Sequence, residues 1–427
     1  MTVARFRWSN DRGKRRMGKA RKARGKEKKQ DKIESPTVKG FTVGAAAAGM
    51  RKDNSLDVCV IVSDLPCVAA GVFTRNRVCG EPVKLDRLHL RHPSHRAIVV
   101  NAKISNVCTG IEGLRDAREM AARLAARIGC QVPEVLVAST GIIGRRLPME
   151  RILPGIDNAL AARSAKGWPQ GARAIMTTDT RLKMACRTVK LGGKTVSIAG
   201  MAKGSGMIHP SMATMLCFVA TDAAIDKALL QAILRRVVDR SFNCVTVDGD
   251  TSTSDTMLVL ANGAAGNRRL SQDGPQARVF ESALESLSVE LARKIARDGE
   301  GAQHLVTIRV RGTRSDAAAR KIAQAVGTSP LVKTAIYGRD ANWGRITAAA
   351  GRAGVPFAVR NLSLRMNGFL IFESGQPVPF DEPALTQTLH QEEISIDIVV
   401  GTARGDATVW TCDLTDAYIR INADYRT

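Results

Sequence analysis

The sequence predicts an α+β fold, a layered sandwich with mixed sheets, and three observations carry that expectation. Short apolar runs bounded by polar turns recur as buried strands do, apolar residues recur between them at helical spacing, and the two textures mix without a regular β-α unit or internal repeat. The runs at 58–62, 68–73, 97–101 and 135–138 read as buried strands, and later ones at 305–310, 394–400 and 408–412 do the same. Ala117, Met120, Ala121, Leu124 and Ile128 fall three and four apart before Gly129, which predicts an amphipathic helix with a glycine stop. Leu229, Leu230, Ile233, Leu234, Val237 and Val238 line one face of a second helix, and Phe280, Leu284, Leu287 and Leu291 line a third.

Composition narrows the function classes. The 427 residues suffice for one large core or two to three domains, and 44% hydrophobic with 24% charged residues is a globular balance. Aromatics are only 4%, too few for a sheet that binds sugars or bases by stacking. The formal charge is +24 and uneven, because the first 32 residues hold 14 Lys or Arg against 3 acids. Residues 1–36 therefore read as a basic disordered tail whose like charges repel, with Met17 as an alternative start. Nucleic acid is not an expected partner apart from that tail. Nine cysteines without any C-x-x-C pair, several inside apolar runs, fit reduced core thiols, and no metal site is expected. No apolar stretch reaches the roughly 18 residues of a membrane span, so a cytoplasmic protein with no membrane contact is expected.

Chemistry concentrates in a few segments. Residues 201–220 form a Gly-rich loop, a small-residue turn and an apolar strand, with Thr214 at the junction after Ala213. If the Ala213-Thr214 bond were cut, Thr214 would carry a hydroxyl nucleophile and an α-amine of ordinary pKa about 7.7 to 8.0, suited to act as its general base. On the residues alone this stays open, because threonine is also at home at a strand start. Thr140 and Gly141 follow an apolar run, where a hydroxyl and backbone N–H groups could hold an oxyanion or simply make a turn. Glu300 stands between glycines at 298–302. The segment 247–255 looks like a calcium loop but has Val259 where the bidentate glutamate belongs, and Gly204 and Gly206 lack the third glycine of a dinucleotide fingerprint.

Together these segments resemble the ornithine acetyltransferase family, the bifunctional glutamate N-acetyltransferases of arginine biosynthesis. The resemblance runs in order through Lys39-Gly-Phe, Ser139-Thr-Gly, Met176-Thr-Thr-Asp-Thr180, Lys203-Gly-Ser-Gly-Met, Met212-Ala-Thr-Met-Leu216, Asp298-Gly-Glu-Gly-Ala302 and the terminal Ile421-Asn-Ala-Asp-Tyr-Arg-Thr427. It implies the fold shared with self-cleaving aminopeptidases. It also implies a precursor cut between Ala213 and Thr214 into an α chain, 37–213, and a β chain, 214–427, that stay together as an α2β2 heterotetramer. Thr214 would then be the acyl acceptor, Thr140 and Gly141 the oxyanion hole, and Thr177, Lys203, Thr214, Glu300, Asn422 and Thr427 the substrate contacts. The implied reaction moves acetyl from N-acetylornithine to glutamate through acetyl-threonine, without a metal or bound cofactor and with acetyl-CoA as a potential co-substrate.

Three places depart from the family pattern. Lys103 and Ile104 replace small residues before Cys108, Gln303 and His304 stand where Thr and Lys are usual, and Ser254 stands where Asn is common. These bear on substrate preference and efficiency. Two other readings compete: a self-cleaving amidase or aminopeptidase of the same fold that passes the acyl group to water, and a binding protein whose basic tail works on a degenerate scaffold.

Overall fold

A computed structural model describes residues 35–209 and 215–424. Eight strands form the first sheet: β1 (Phe41–Ala46), β2 (Val58–Phe73), β3 (His95–Asn101), β4 (Val135–Ser139), β5 (Lys183–Leu191), β6 (Lys194–Lys203), β7 (Leu216–Thr221) and β8 (Thr256–Ala261). Their order is β4-β3-β2-β8-β7-β6-β5, with β1 also paired to β2. The runs at 58–62 and 68–73, expected as two strands, are the ends of the single strand β2. Its register with β3 shifts between Val62 and Cys67, so the first part pairs with β1 and β3 and the last part with β8. A bulge of this kind bends a strand, which lets one strand serve two halves of a folded sheet.

Side-chain alternation then builds the layers. Val58, Val60, Ala97, Val99, Val135 and Val137 point to a core shared with the helices α2 (Gly110–Ile128) and α3 (Met149–Ala161). Their neighbours Cys59, Ile61, Ile98, Val100, Leu136 and Ala138 face the opposite way, toward Leu216, Phe218, Ala220, Leu258 and Leu260. Cys217, Val219, Met257 and Val259 turn to a third core beneath α5 (Lys227–Arg240) and α6 (Pro275–Arg297). Strands buried on both faces read as continuous apolar runs, which is why they stood out in the sequence. The predicted stop is present: Gly129 caps α2 at φ 67°, a left-handed conformation that glycine adopts without a steric penalty.

The edge strand β4 is closed by α1 (Glu81–His89), whose buried Asp86 accepts the Val137 N–H at 2.8 Å and whose His89 Nδ1 lies 2.7 Å from the Val135 carbonyl. The short helix α4 (Trp168–Ala174) packs under β1, with Trp168 fully buried.

A second sheet completes the chain: β9 (Leu305–Gly312), β10 (Ser363–Met366), β11 (Phe369–Glu373), β12 (Gln376–Pro377), β13 (Glu393–Val399) and β14 (Ala403–Cys412), in the order β12-β11-β10-β13-β9-β14. One face is covered by α7 (Asp316–Gly327), α8 (Pro330–Tyr337), α9 (Trp343–Gly351) and α10 (Glu382–Thr388). The last helix, α11 (Asp416–Asp424), follows β14. No helix among the described residues is long and apolar enough to cross a membrane. The expected tail, 1–36, lies outside the described residues except for its last two positions.

Candidate active site

Six residues named from the sequence line one cleft: Thr140, Gly141, Thr177, Lys203, Glu300 and Asn422. They come from five chain segments that are far apart in sequence and that the fold brings together. Ala213, Thr214 and Thr427 lie outside the described residues.

Thr140 and Gly141 leave the C-terminal end of β4. The turn is held by the loop that departs from the family pattern: Ile104 bridges to both Thr140 and Ile142, the Ile142 N–H donates to the Lys103 carbonyl at 2.9 Å, and the Ser105 N–H donates to the Ile142 carbonyl at 3.0 Å. Gly141 has φ 131°, and any Cβ there would overlap the Lys103 backbone. Glycine is thus required by both conformation and space. Lys103 itself takes φ 78°, and Ser105 of the same loop lines the cleft.

Lys203 ends β6. Its side chain is buried, with 4% of the residue exposed. Its Nζ donates to Thr140 Oγ1 at 3.3 Å. Burial lowers its pKa and the Lys183 ammonium adds to that, while Asp179, Glu300 and Asp255 pull the other way. Beyond it, the Gly-rich loop is pinned by Asp248, which accepts the Met207 N–H at 2.5 Å and the Ile208 N–H at 2.8 Å. The segment that looked like a calcium loop thus anchors backbone, and Ser252, Thr253 and Ser254 from it line the cleft.

Glu300 follows the end of α6. Its N–H donates to the Ser205 carbonyl at 2.9 Å, and Oε2 accepts from Asn422 Nδ2 of α11 at 2.8 Å. Gly206 lies against the Glu300 carboxylate so closely that a Cβ would overlap it. The neighbouring departure, His304, is not among the cleft-lining residues. It is buried with Nδ1 2.9 Å from Asp413 Oδ2, and Asp413 Oδ1 accepts the N–H groups of Gln303 and His304. The exchange of Lys for His at this position is therefore met by a local buried partner outside the cleft wall.

Two features escaped sequence reasoning. Asp179 and Asp298 share the buried Lys183 ammonium, at 2.7 and 2.5 Å. Asp255, at the head of β8, accepts the N–H of Met215 at 3.1 Å, the amide that joins β7 to position 214. Burial pushes the Asp255 carboxyl well above the usual carboxylate range, against the pull of the Met215 N–H, the Ser252 hydroxyl and Lys203. The three carboxylates lie in motifs quoted above, but carboxylates beside threonine, glycine and serine give no local sign of burial.

Chemically, the cleft presents an ammonium on one side, a carboxylate on another, and hydroxyl and amide groups between, which suits a zwitterionic amino acid. The ArgJ family model matches residues 42–427. The arginine biosynthesis bifunctional protein ArgJ of Symbiobacterium thermophilum is 47% identical over 391 residues, covering 91% of this chain and 97% of that protein. The Bacillus subtilis protein of the same name is 44% identical over 396 residues, covering 92% and 96%. A crystal structure of the Bacillus halodurans protein is similar at 40% identity over 49% of this chain and 98% of that chain, with a TM-score of 0.48. With a family model spanning nearly all of its length and full-length relatives above 40% identity, the chain belongs to the ArgJ family.

Proposed function

We propose that this enzyme transfers acetyl from N-acetylornithine to glutamate in arginine biosynthesis, with Thr214 as the acyl carrier. The observation that carries the reading is the convergence of Thr140, Gly141, Thr177, Lys203, Glu300 and Asn422 on one cleft. Cleavage between Ala213 and Thr214 frees the Thr214 α-amine. That amine accepts the hydroxyl proton as Oγ attacks the acetyl carbonyl, and the Thr140 hydroxyl and Gly141 N–H stabilise the resulting oxyanion. Ornithine leaves with the proton returned to its amine, and the glutamate amine then attacks acetyl-Thr214 in the reverse sequence. Lys203 pairs with the substrate carboxylate, Glu300 with a substrate ammonium, and Thr177, Asn422 and Thr427 orient the amino acid.

Nucleophile and base both come from Thr214, so the reaction calls for no metal or bound cofactor, and acetyl-CoA is a candidate second donor. The chains 37–213 and 214–427 remain together, as α2β2, in the cytoplasm. Incubating purified enzyme with N-acetylornithine and glutamate tests the reading. Formation of ornithine and N-acetylglutamate in equal amounts, abolished by Thr214→Ala, supports it; acetate release independent of glutamate would point instead to the water-transferring amidase.

A further inference from the structure

The buried triad Asp179, Lys183 and Asp298 lies behind the cleft, and its bonds run to the site from two directions. The side chains of Lys183, Asp179 and Asp298 are 1%, 0% and 3% exposed. Asp179 Oδ1 also accepts the Gly204 N–H at 2.6 Å, next to Lys203, and Oδ2 accepts the Thr177 N–H at 3.0 Å. Asp298 Oδ2 accepts the N–H groups of Thr180 and Arg181 at 3.0 and 3.2 Å, its Oδ1 takes the Thr180 hydroxyl, and it stands two residues before Glu300. Three substrate-facing positions are therefore referred to one ammonium. Two carboxylates at this depth would be strongly penalised without it.

The triad also spans the two proposed chains, since Asp179 and Lys183 precede position 214 and Asp298 follows it. We propose that Lys183 is a positioning residue: through Asp179 it fixes Thr177 and the Lys203-Gly204 turn, through Asp298 it fixes the Glu300 loop, and it ties the two chains together behind the site. The role assigned to the positioned residues rests on the acetyl-transfer reading above.

The test compares wild type, Lys183→Met and the charge-balanced Lys183→Met/Asp298→Asn, which has one buried carboxylate fewer. The single variant is expected to raise KM for N-acetylornithine and glutamate at least tenfold and to lower the urea midpoint. The double variant is expected to recover most of the midpoint while KM stays raised, because a neutral pair refills the space without setting the turn and loop. If KM returns to the wild-type value together with the midpoint, Lys183 is merely structural and the proposal falls. A wild type that performs no transfer sinks the acetyl-transfer reading instead. Lys183 is then judged on the urea midpoint of the preparation, cut or whole, and an unchanged midpoint in Lys183→Met overturns the tie.

Discussion

The Lys203 ammonium donates to the Thr140 hydroxyl at 3.3 Å, and both residues are buried. A hydroxyl has one proton, so Thr140 oxygen, accepting from Lys203, keeps its own O–H free to be directed at a developing oxyanion. Replacing Thr140 by valine, which keeps the shape, is expected to lower kcat by about 10²- to 10³-fold, the usual loss of one oxyanion donor, with KM little changed. Steady-state kinetics check this, and Thr140→Ser should recover much of the loss. An equal fall in affinity would mean that Thr140 binds substrate rather than the transition state.

Glu300 and Asn422, hydrogen-bonded to each other, line the same cleft. Glu300→Gln keeps the volume and the hydrogen bond to Asn422 but removes the charge, so KM for the amino-acid substrates is expected to rise roughly 10- to 100-fold, in line with about 1.5–3 kcal/mol for a charged hydrogen bond. Asn422 is exposed, and Asn422→Ala should cost less. A larger effect at Asn422 than at Glu300 would reverse the assignment.

Gly206→Ala places a methyl on the Glu300 carboxylate and Gly141→Ala places one on the Lys103 backbone. The first can be relieved by a side-chain shift and should act mainly on KM. The second meets backbone at a positive φ and should destabilise the fold by about 1–3 kcal/mol, the range for a strained backbone position. Thermal melts beside kinetics separate the two.

The raised carboxyl of Asp255 has a definite sign in stability. Its native pKa lies above the unfolded value of about 3.9, so the native state holds a proton that the unfolded chain releases. The contribution is full below about pH 4 and is lost as pH rises toward the native pKa. Asp255→Asn, which keeps an oxygen for the Met215 N–H, should therefore gain on wild type in urea midpoint as pH is raised from 4 to 8. A difference independent of pH would contradict the assignment.

Much of this was legible in the sequence because both-face burial writes itself as apolar runs. The helix over 117–128 ended at Gly129 as expected, and β3, β4, β9 and β13 lie where the runs do. The join of 58–62 to 68–73 was not legible, because Asp64, Leu65 and Pro66, exposed in the bend of β2, look like a turn. The individual roles of Lys203 and Glu300 were carried by resemblance, since nothing local distinguishes a buried loop lysine from a solvated one. The Lys183 triad was invisible because Asp298 stands 115 residues from Lys183 and meets it only in the folded chain.

Strand order bears on what cleavage can do. β7 and β8 follow position 214 yet lie between β2 and β6, which precede it, so a cut at Ala213-Thr214 leaves both fragments inside one sheet. The fragments are expected to co-elute on gel filtration and to separate only under denaturing conditions. Separation in native buffer would mean that the sheet does not survive the cut.

The most direct test is the intact mass of the fragment beginning at Thr214, measured after brief exposure of the enzyme to N-acetylornithine without glutamate. The expected result is one added acetyl group on that fragment, removed when glutamate is supplied and absent in Thr214→Ala. An uncut chain, or a cut fragment that never carries acetyl while transfer proceeds, would contradict Thr214 as the acyl carrier.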